Sequence, residues 1–382
     1  MRIGIVTLPL HYNYGGILQA YALQTVLERM GHEVVVFNPI RKENRLPLWR
    51  TVPALGKRVL KRYLLGKREQ PILLERKLNR EYGKVTCHVR QFMDRYIHIK
   101  YIEDFKALSS ADYDAIVVGS DQVWRPKYFV KMFAPIEDAY LEFAKDWQIK
   151  RIAYAVSFGT GLWEYTPAQT KRCARLLDRF DAVSVREDSG EMLCQEFLGR
   201  EAQFVLDPTL LLDTRDYIRL FERENLPTSE GSLFVYILDD AQEKRALVNH
   251  VAALRSLIPF SVNSRIADSC APMEERIHPP VEKWLKGIYE SDYVVTDSFH
   301  ACVFSILFRK NFLVYGNCDR GMARFKSLLG MFGLEDRLVK EVNDPIPGTE
   351  IDYDKVYAIL GRRREYALDF LRDALCSSNH SG

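Results

Sequence analysis

No stretch of the sequence approaches the roughly 18 consecutive apolar residues that a membrane-spanning helix requires, which excludes a bundle of such helices. No CxxC pair occurs. The seven cysteines (Cys87, Cys173, Cys194, Cys270, Cys302, Cys318 and Cys376) are odd in number and widely spaced. That disfavours a structural zinc site and a disulfide framework, and they read as single buried thiols. No metal-binding cluster is visible and no cofactor is expected. GxGxxG is absent, so a dinucleotide-binding fingerprint is not supported. There is no clear internal repeat and no low-complexity segment. The opening MRIGIVTLPL lacks the longer apolar stretch and the small-residue cleavage site of a signal peptide. It reads as a strand, and a cytoplasmic location is expected. One-sided charge is missing too: the net charge is only +3, so a whole-protein affinity for nucleic acid is not expected.

What is present fits a folded protein of two domains. The 382 residues exceed one typical domain, and 47% hydrophobic with 27% charged residues can bury a full core. Charge is unevenly placed. Residues 41–100 carry 17 Lys/Arg against 5 Asp/Glu, a local +12 that leaves −9 for the rest. A basic segment in an otherwise acidic chain suggests a polyanionic contact.

Strand and helix patterns alternate along the chain, which implies parallel sheets. Arg2–Leu8 reads as a strand, HYNYGG as a turn, and about Ile17 to Met30 as an amphipathic helix closed by Gly31. Glu33–Phe37 is the next strand. A basic helical insertion follows at 41–100. DAIVVGS, RIAYAVS, AVSV and QFVL then bring the first half to six strands. The polar stretch TRDYIRLFERENLPTSEG suggests a boundary, giving domains 1–215 and 216–382. The second half restarts with LFVYIL, DYVVTDS and NFLVY as strands and ends in a long helix from about Tyr353 to Ala374. The expected architecture is α/β, two doubly wound Rossmann-like domains facing a cleft. Ligands in such sheets sit at the carboxyl ends of the strands, so the residues that follow strands are the candidates.

In DYVVTDSFHACVF, Ser298 is placed to cap a helix whose first turn holds His300. A helix N-terminus stabilises an anion and disfavours an imidazolium. His300 is therefore either a neutral proton acceptor or a capping histidine without chemistry. In DAIVVGSDQVWRP, Ser120, Asp121, Gln122 and Trp124 follow a strand. They read either as a sugar platform with an aromatic face or as a turn with Trp124 plugging the core. Asn13, Tyr14, Gly15 and Gly16 bring polar contacts and close backbone approach to a helix start, or form a simple tight turn. Arg186, after AVSV, can clamp a carboxylate or phosphate with two parallel bonds, or pair with Glu187 or Asp188. Arg320 and Arg324 follow NFLVY in the same way. Ser157 and Asp207 also end strands. In the insertion, Leu55, Val59, Leu60, Tyr63 and Leu64 interleave with Lys57, Arg58, Lys61 and Arg62. Such a helix suits an anionic membrane surface or a solvated face.

Taken in order, NYGGILQAYAL, VVGSDQVW, AVSFG, VSVRED, VLDPTLLL, VVTDSFHACVFSILFRKNFLV and RFKSLLGMFGLEDRL resemble the polysaccharide pyruvyl transferase family across roughly residues 4–338. The resemblance implies a glycosyltransferase-B-like fold. It also implies transfer of a pyruvyl group from phosphoenolpyruvate to a sugar diol as a ketal, in exopolysaccharide or capsule biosynthesis. Phosphoenolpyruvate would be a co-substrate, with a sugar or lipid-linked oligosaccharide as acceptor. The alternatives are a nucleotide-sugar-dependent glycosyltransferase of the same architecture and a catalytically inactive sugar-binding relative. His300 matches the histidine of the family's Arg-x-His pattern, but its arginine is Ser298 here. Arg186 matches the family's SxRE-like arginine. The expected catalytic residues are His300 and Asp121. Donor contacts are expected from Arg186, Ser298, Arg324 and Arg320, with the second domain as the donor side. Acceptor contacts are expected from Asn13, Tyr14, Gly15, Gly16, Ser120, Gln122, Trp124 and Ser157 on the first-domain side. The insertion would touch the cytoplasmic face of the inner membrane through 53–68.

Overall fold

Two parallel sheets organise the chain in a computed structural model that describes residues 1–66, 71–132, 134–239, 241–316, 321–342 and 344–376. The first sheet comprises β1 (Arg2–Val6), β2 (Glu33–Pro39), β3 (Ile99–Ile102), β4 (Ala115–Val118), β5 (Lys150–Val156), β6 (Ala182–Val185) and β7 (Gln203–Phe204). Their order is β3-β2-β1-β4-β5-β6-β7. The second comprises β8 (Leu233–Tyr236), β9 (Pro259–Phe260), β10 (Tyr293–Thr296), β11 (Asn311–Tyr315) and β12 (Leu338–Val339), in the order β12-β11-β10-β8-β9. Strand direction of travel reverses at β1/β4 in one sheet and at β8/β10 in the other, which is the doubly wound topology expected. AIVV of β4 and YVVT of β10 are buried at every residue, as strands covered on both faces must be.

The first helix spans Tyr14–Arg29, three residues earlier than its periodicity suggests. Asn13 is responsible: its Oδ1 accepts from the Gly15 N–H at 3.2 Å, a capping bond that lets the helix begin ahead of the glycine pair. The insertion folds as three helices, Leu48–Tyr63, Leu74–Val85 and Cys87–Tyr96. It then returns to the sheet as β3, an edge strand the sequence reading lacks. Cys173, Cys194 and Cys302 are buried as expected, but Cys87 and Cys270 are only half-buried and Cys376 is exposed. Cys318 lies outside the described residues. No described helix is long and apolar enough to cross a membrane.

The domains share one apolar core. It runs from Ile3 and Leu23 of the first to Trp284 and Phe304 of the second. The terminal helix, Tyr353–Cys376, corrects the expectation that it belongs to the second domain alone. It starts there, with the Tyr357 hydroxyl donating to the Leu307 carbonyl, and ends on the first domain. There Phe370 lies 6.2 Å from Tyr154 of β5, and Lys150 Nζ donates to the Ala374 carbonyl. Midway, Arg364 donates to the Leu210 and Leu212 carbonyls and pairs with Asp213 at 2.7 Å.

Candidate active site

The polar residues that converge between the domains follow directly on parallel strands: Ser120 and Asp121 after β4, Ser157 after β5, Arg186 and Glu187 after β6, Asp207 after β7, and Ser298 and His300 after β10. At the centre is a buried ion pair. Arg186 Nη1 donates to Asp207 Oδ2 at 2.6 Å and to Ser120 Oγ at 3.3 Å, and Nη2 reaches Asp121 Oδ1 at 3.4 Å. The arginine therefore pairs with Asp207 and Asp121, not with Glu187 or Asp188. Asp207 Oδ1 accepts from the Thr209 N–H and hydroxyl. Burial pushes the Asp207 carboxyl up, but the nearby His300 ring, the Arg186 guanidinium and the Thr209 hydroxyl outweigh it and hold the acid well below the usual carboxylate range.

His300 lies in the first turn of the helix Phe299–Leu307, which Ser298 caps through its Oγ. Its Nε2 is 3.7 Å from Asp207 Oδ2, within ion-pair reach but beyond a hydrogen bond. The opposite edge of the ring rests on Gly15, where a Cβ would stand 2.0 Å from His300 Nδ1. Close approach thus requires glycine at position 15. Gly16 is less constrained, since a Cβ there would meet Asn13 Nδ2 at 3.5 Å and Asp121 Oδ2 at 3.7 Å. Asp121 holds the left-handed conformation, φ 70°, rare for a residue with a side chain. Its carbonyl accepts from the Ser157 N–H at 3.0 Å, which fixes it to β5.

Phe299 joins two cations. Arg186 Cζ sits 4.6 Å and Arg324 Cζ 5.3 Å from its ring centroid. Arg324 is carried by the helix Met322–Phe332, which docks on the first domain where the Ser327 hydroxyl donates to Asp188 at 2.7 Å. Burial, and then the like charge of Arg186, pull the Arg324 guanidinium down to about 10. Arg320 lies outside the described residues. Among the described residues, His300 Nε2, Arg186 Nε and Glu187 Oε2 are buried polar atoms without a hydrogen-bond partner. Native structures seldom leave such atoms bare without a functional reason.

Several expected acceptor contacts are corrected. Trp124 is fully buried; its ring stacks on Tyr140 at 4.6 Å and its Nε1 donates to the Ala139 carbonyl, so it plugs the core and offers no face to a sugar. Tyr14 is also fully buried. Its hydroxyl donates to the Pro279 carbonyl at 2.8 Å and its ring stacks on His278, which makes it a bolt between domains. Ser157 donates to Glu187 Oε1 at 2.8 Å, and Ser120 to Asp207 Oδ2 at 3.2 Å; both hydroxyls hold carboxylates in place. Gln122 is buried and accepts from Arg125 at 3.0 Å. Asn13 stays exposed. Glu187, Thr209 and Phe299 were not singled out by sequence reasoning. Their signal was available, since each follows a strand close to a residue that was.

A model of the polysaccharide pyruvyl transferase family matches residues 13–319, which is most of the chain and includes Asn13, Asp121, Arg186, Asp207 and His300. The chain belongs to that family. No curated protein matches it. Among solved structures it is similar to Arabidopsis thaliana UGT89C1 complexed with UDP-L-rhamnose, at 10% identity and a TM-score of 0.52, covering 98% of this chain and 99% of that one. A UDP-GlcNAc 2-epimerase from Neisseria meningitidis matches at 10% identity and a TM-score of 0.46, covering 98% and 94%. The shared fold is the glycosyltransferase-B arrangement of two Rossmann-like domains. The polysaccharide pyruvyl transferase family thus supplies a transferase that modifies a sugar polymer, on an architecture that does not itself fix the chemistry.

Proposed function

We propose that this polysaccharide pyruvyl transferase takes its group from phosphoenolpyruvate and sets it on a sugar diol as a pyruvate ketal, releasing phosphate, in the synthesis of an exopolysaccharide or capsule. The observation that carries the reading is the pair of buried guanidiniums, Arg186 and Arg324, on one phenylalanine ring beside His300. The Arg324 guanidinium is lowered by burial and then by the like charge of Arg186, whereas Asp207, Asp121 and Glu187 hold the Arg186 charge in place. A small ligand with a carboxylate and a phosphate would supply Arg324 with the negative charge that Asp207 and Asp121 already give Arg186. Arg324 thus stands in for the arginine that Ser298 replaces in the Arg-x-His pattern.

In the reaction, a proton adds to the donor's methylene carbon and leaves an oxocarbenium-like centre at the carbon bearing phosphate. One sugar hydroxyl bonds to that carbon and loses its proton. The carbon–oxygen bond to phosphate breaks, and the second hydroxyl closes the ketal with loss of its own proton. His300 is the group proposed to move a proton at the acceptor hydroxyl or the leaving phosphate, its ring held by Gly15 on one side and faced by Asp207 on the other. Asp121 is proposed to hold the acceptor. A positioned acid–base group typically contributes about 10²–10⁴-fold. His300→Ala should therefore lower phosphate release from phosphoenolpyruvate by about that factor with the melting temperature preserved. Wild-type turnover in the variant would remove the assignment. Release that requires a nucleotide sugar would instead make the protein a glycosyltransferase. Binding of a sugar with no turnover would make it an inactive relative.

A further inference from the structure

The helix Leu48–Tyr63 leaves its apolar face unpartnered. Trp49, Val52, Val59, Leu60, Tyr63 and Leu64 recur at the three- and four-residue spacing of a single helical stripe, and all are exposed, Trp49, Val52, Tyr63 and Leu64 by more than 70%. The opposite face is the one held by the protein: Leu55 is half-buried, and Arg58 pairs with Glu75 at 2.6 Å. Arg50, Lys57 and Lys61 lie along one flank of the stripe, and the helix contains no Asp or Glu. Two clefts run beside the helix's buried side. One of about 490 Å³ begins at His11 and Tyr12, next to the Asn13–Gly16 turn that touches His300, and is lined by Arg41 and Lys42. It shares Asn44 with a second, of about 650 Å³, lined by Thr51, Leu55 and Arg58 of this helix.

We infer that Leu48–Tyr63 docks this protein on an anionic lipid bilayer, with the stripe from Trp49 to Leu64 in the interfacial layer and Arg50, Lys57 and Lys61 on the headgroups. Charge decides between a membrane and a second copy. Two such helices face to face would bring only cations together, whereas an acidic lipid surface complements them. The docking element therefore begins at Trp49, earlier than the 53–68 expected from sequence; residues 67 and 68 of that span lie outside the described residues. The inference does not depend on the donor, because lipid binding is measured without turnover.

The test is co-sedimentation of the full chain with vesicles of phosphatidylcholine alone and of equal parts phosphatidylcholine and phosphatidylglycerol. The expected result is binding to the mixed vesicles that weakens as salt rises. Lys57→Ala with Lys61→Ala should weaken it about 30-fold, two cations near the surface at the usual contribution each. Trp49→Ser with Leu64→Ser should abolish it at an unchanged melting temperature, since both side chains are exposed. Equal binding to both vesicle types, or to neither, overturns the inference. So does a wild-type dimer that Trp49→Ser with Leu64→Ser converts to monomer, which would make the stripe a self-interface.

Discussion

His300 has backbone on one edge and a carboxylate toward the other, and both neighbours can be altered singly. Gly15→Ala adds only a methyl, at a helical position where alanine is intrinsically favoured over glycine. Its Cβ would nevertheless fall 2.0 Å from His300 Nδ1. The variant should lose about 1–3 kcal/mol of stability to overpacking and about 10²-fold or more in turnover, because a displacement of about 1 Å at a catalytic group costs that much. Gly16→Ala, with open contacts, should leave turnover near wild type; equal losses in both would show that the Gly15 contact is not what matters. Arg186→Ala is a different experiment. It strands the buried Asp207 carboxylate and should cost about 3–5 kcal/mol in unfolding free energy, so its effect on ligand binding has to be read against that loss. His278 carries a pH dependence. Burial holds its ring down to about 4, below the 6.5 of an exposed histidine, while it stacks on Tyr14 between the domains. The unfolded chain therefore binds a proton that the folded one refuses. The stability this gives is full above about pH 6.5 and is lost as pH falls towards 4, by about 3 kcal/mol in all. Urea unfolding across that window should show the slope, and His278→Gln should flatten it.

Elements were legible wherever the chain had a long enough signal. Strands covered on both faces read as apolar runs, which is why β1, β4, β5, β10 and β11 could be placed from sequence. β9 and β12 have two residues each, and β3 alternates lysine with apolar residues at a sheet edge, so none has a period to detect. The terminal helix was visible, but its partner was not. A 24-residue amphipathic pattern says that one stripe is buried and is silent about which domain buries it. Its last turns lie on β5, so Phe370→Ala should cost about 3–5 kcal/mol and loosen the domains together. Measured by proteolysis, cleavage between residues 213 and 231 should accelerate in the variant; unchanged cleavage would mean that the helix does not hold the two halves. The site was legible for a physical reason as well: in parallel sheets the reactive residues follow strands. The same rule failed at Trp124 and Tyr14. A polar turn with an aromatic looks alike in sequence whether the ring faces a ligand or the core.

For the whole molecule the central feature is closure. Gly159 after β5 and Gly321 after β11, both at positive φ, meet across the cleft so closely that a Cβ on Gly321 would lie 1.6 Å from the Gly159 carbonyl oxygen. With Asp188 on Ser327 and Tyr14 on Pro279, this brings the second domain onto the first over Arg186, Asp207 and His300. The claim to test first is that the cations inside receive phosphoenolpyruvate. Thermal unfolding of the full chain with phosphoenolpyruvate, UDP, GDP or CMP, on wild type and Arg324→Gln, tests it directly. A ligand at 100 times its dissociation constant adds about 2.7 kcal/mol. The expected result is stabilisation of the wild type by phosphoenolpyruvate alone, largely lost in Arg324→Gln. Stabilisation by a nucleotide and not by phosphoenolpyruvate would contradict it.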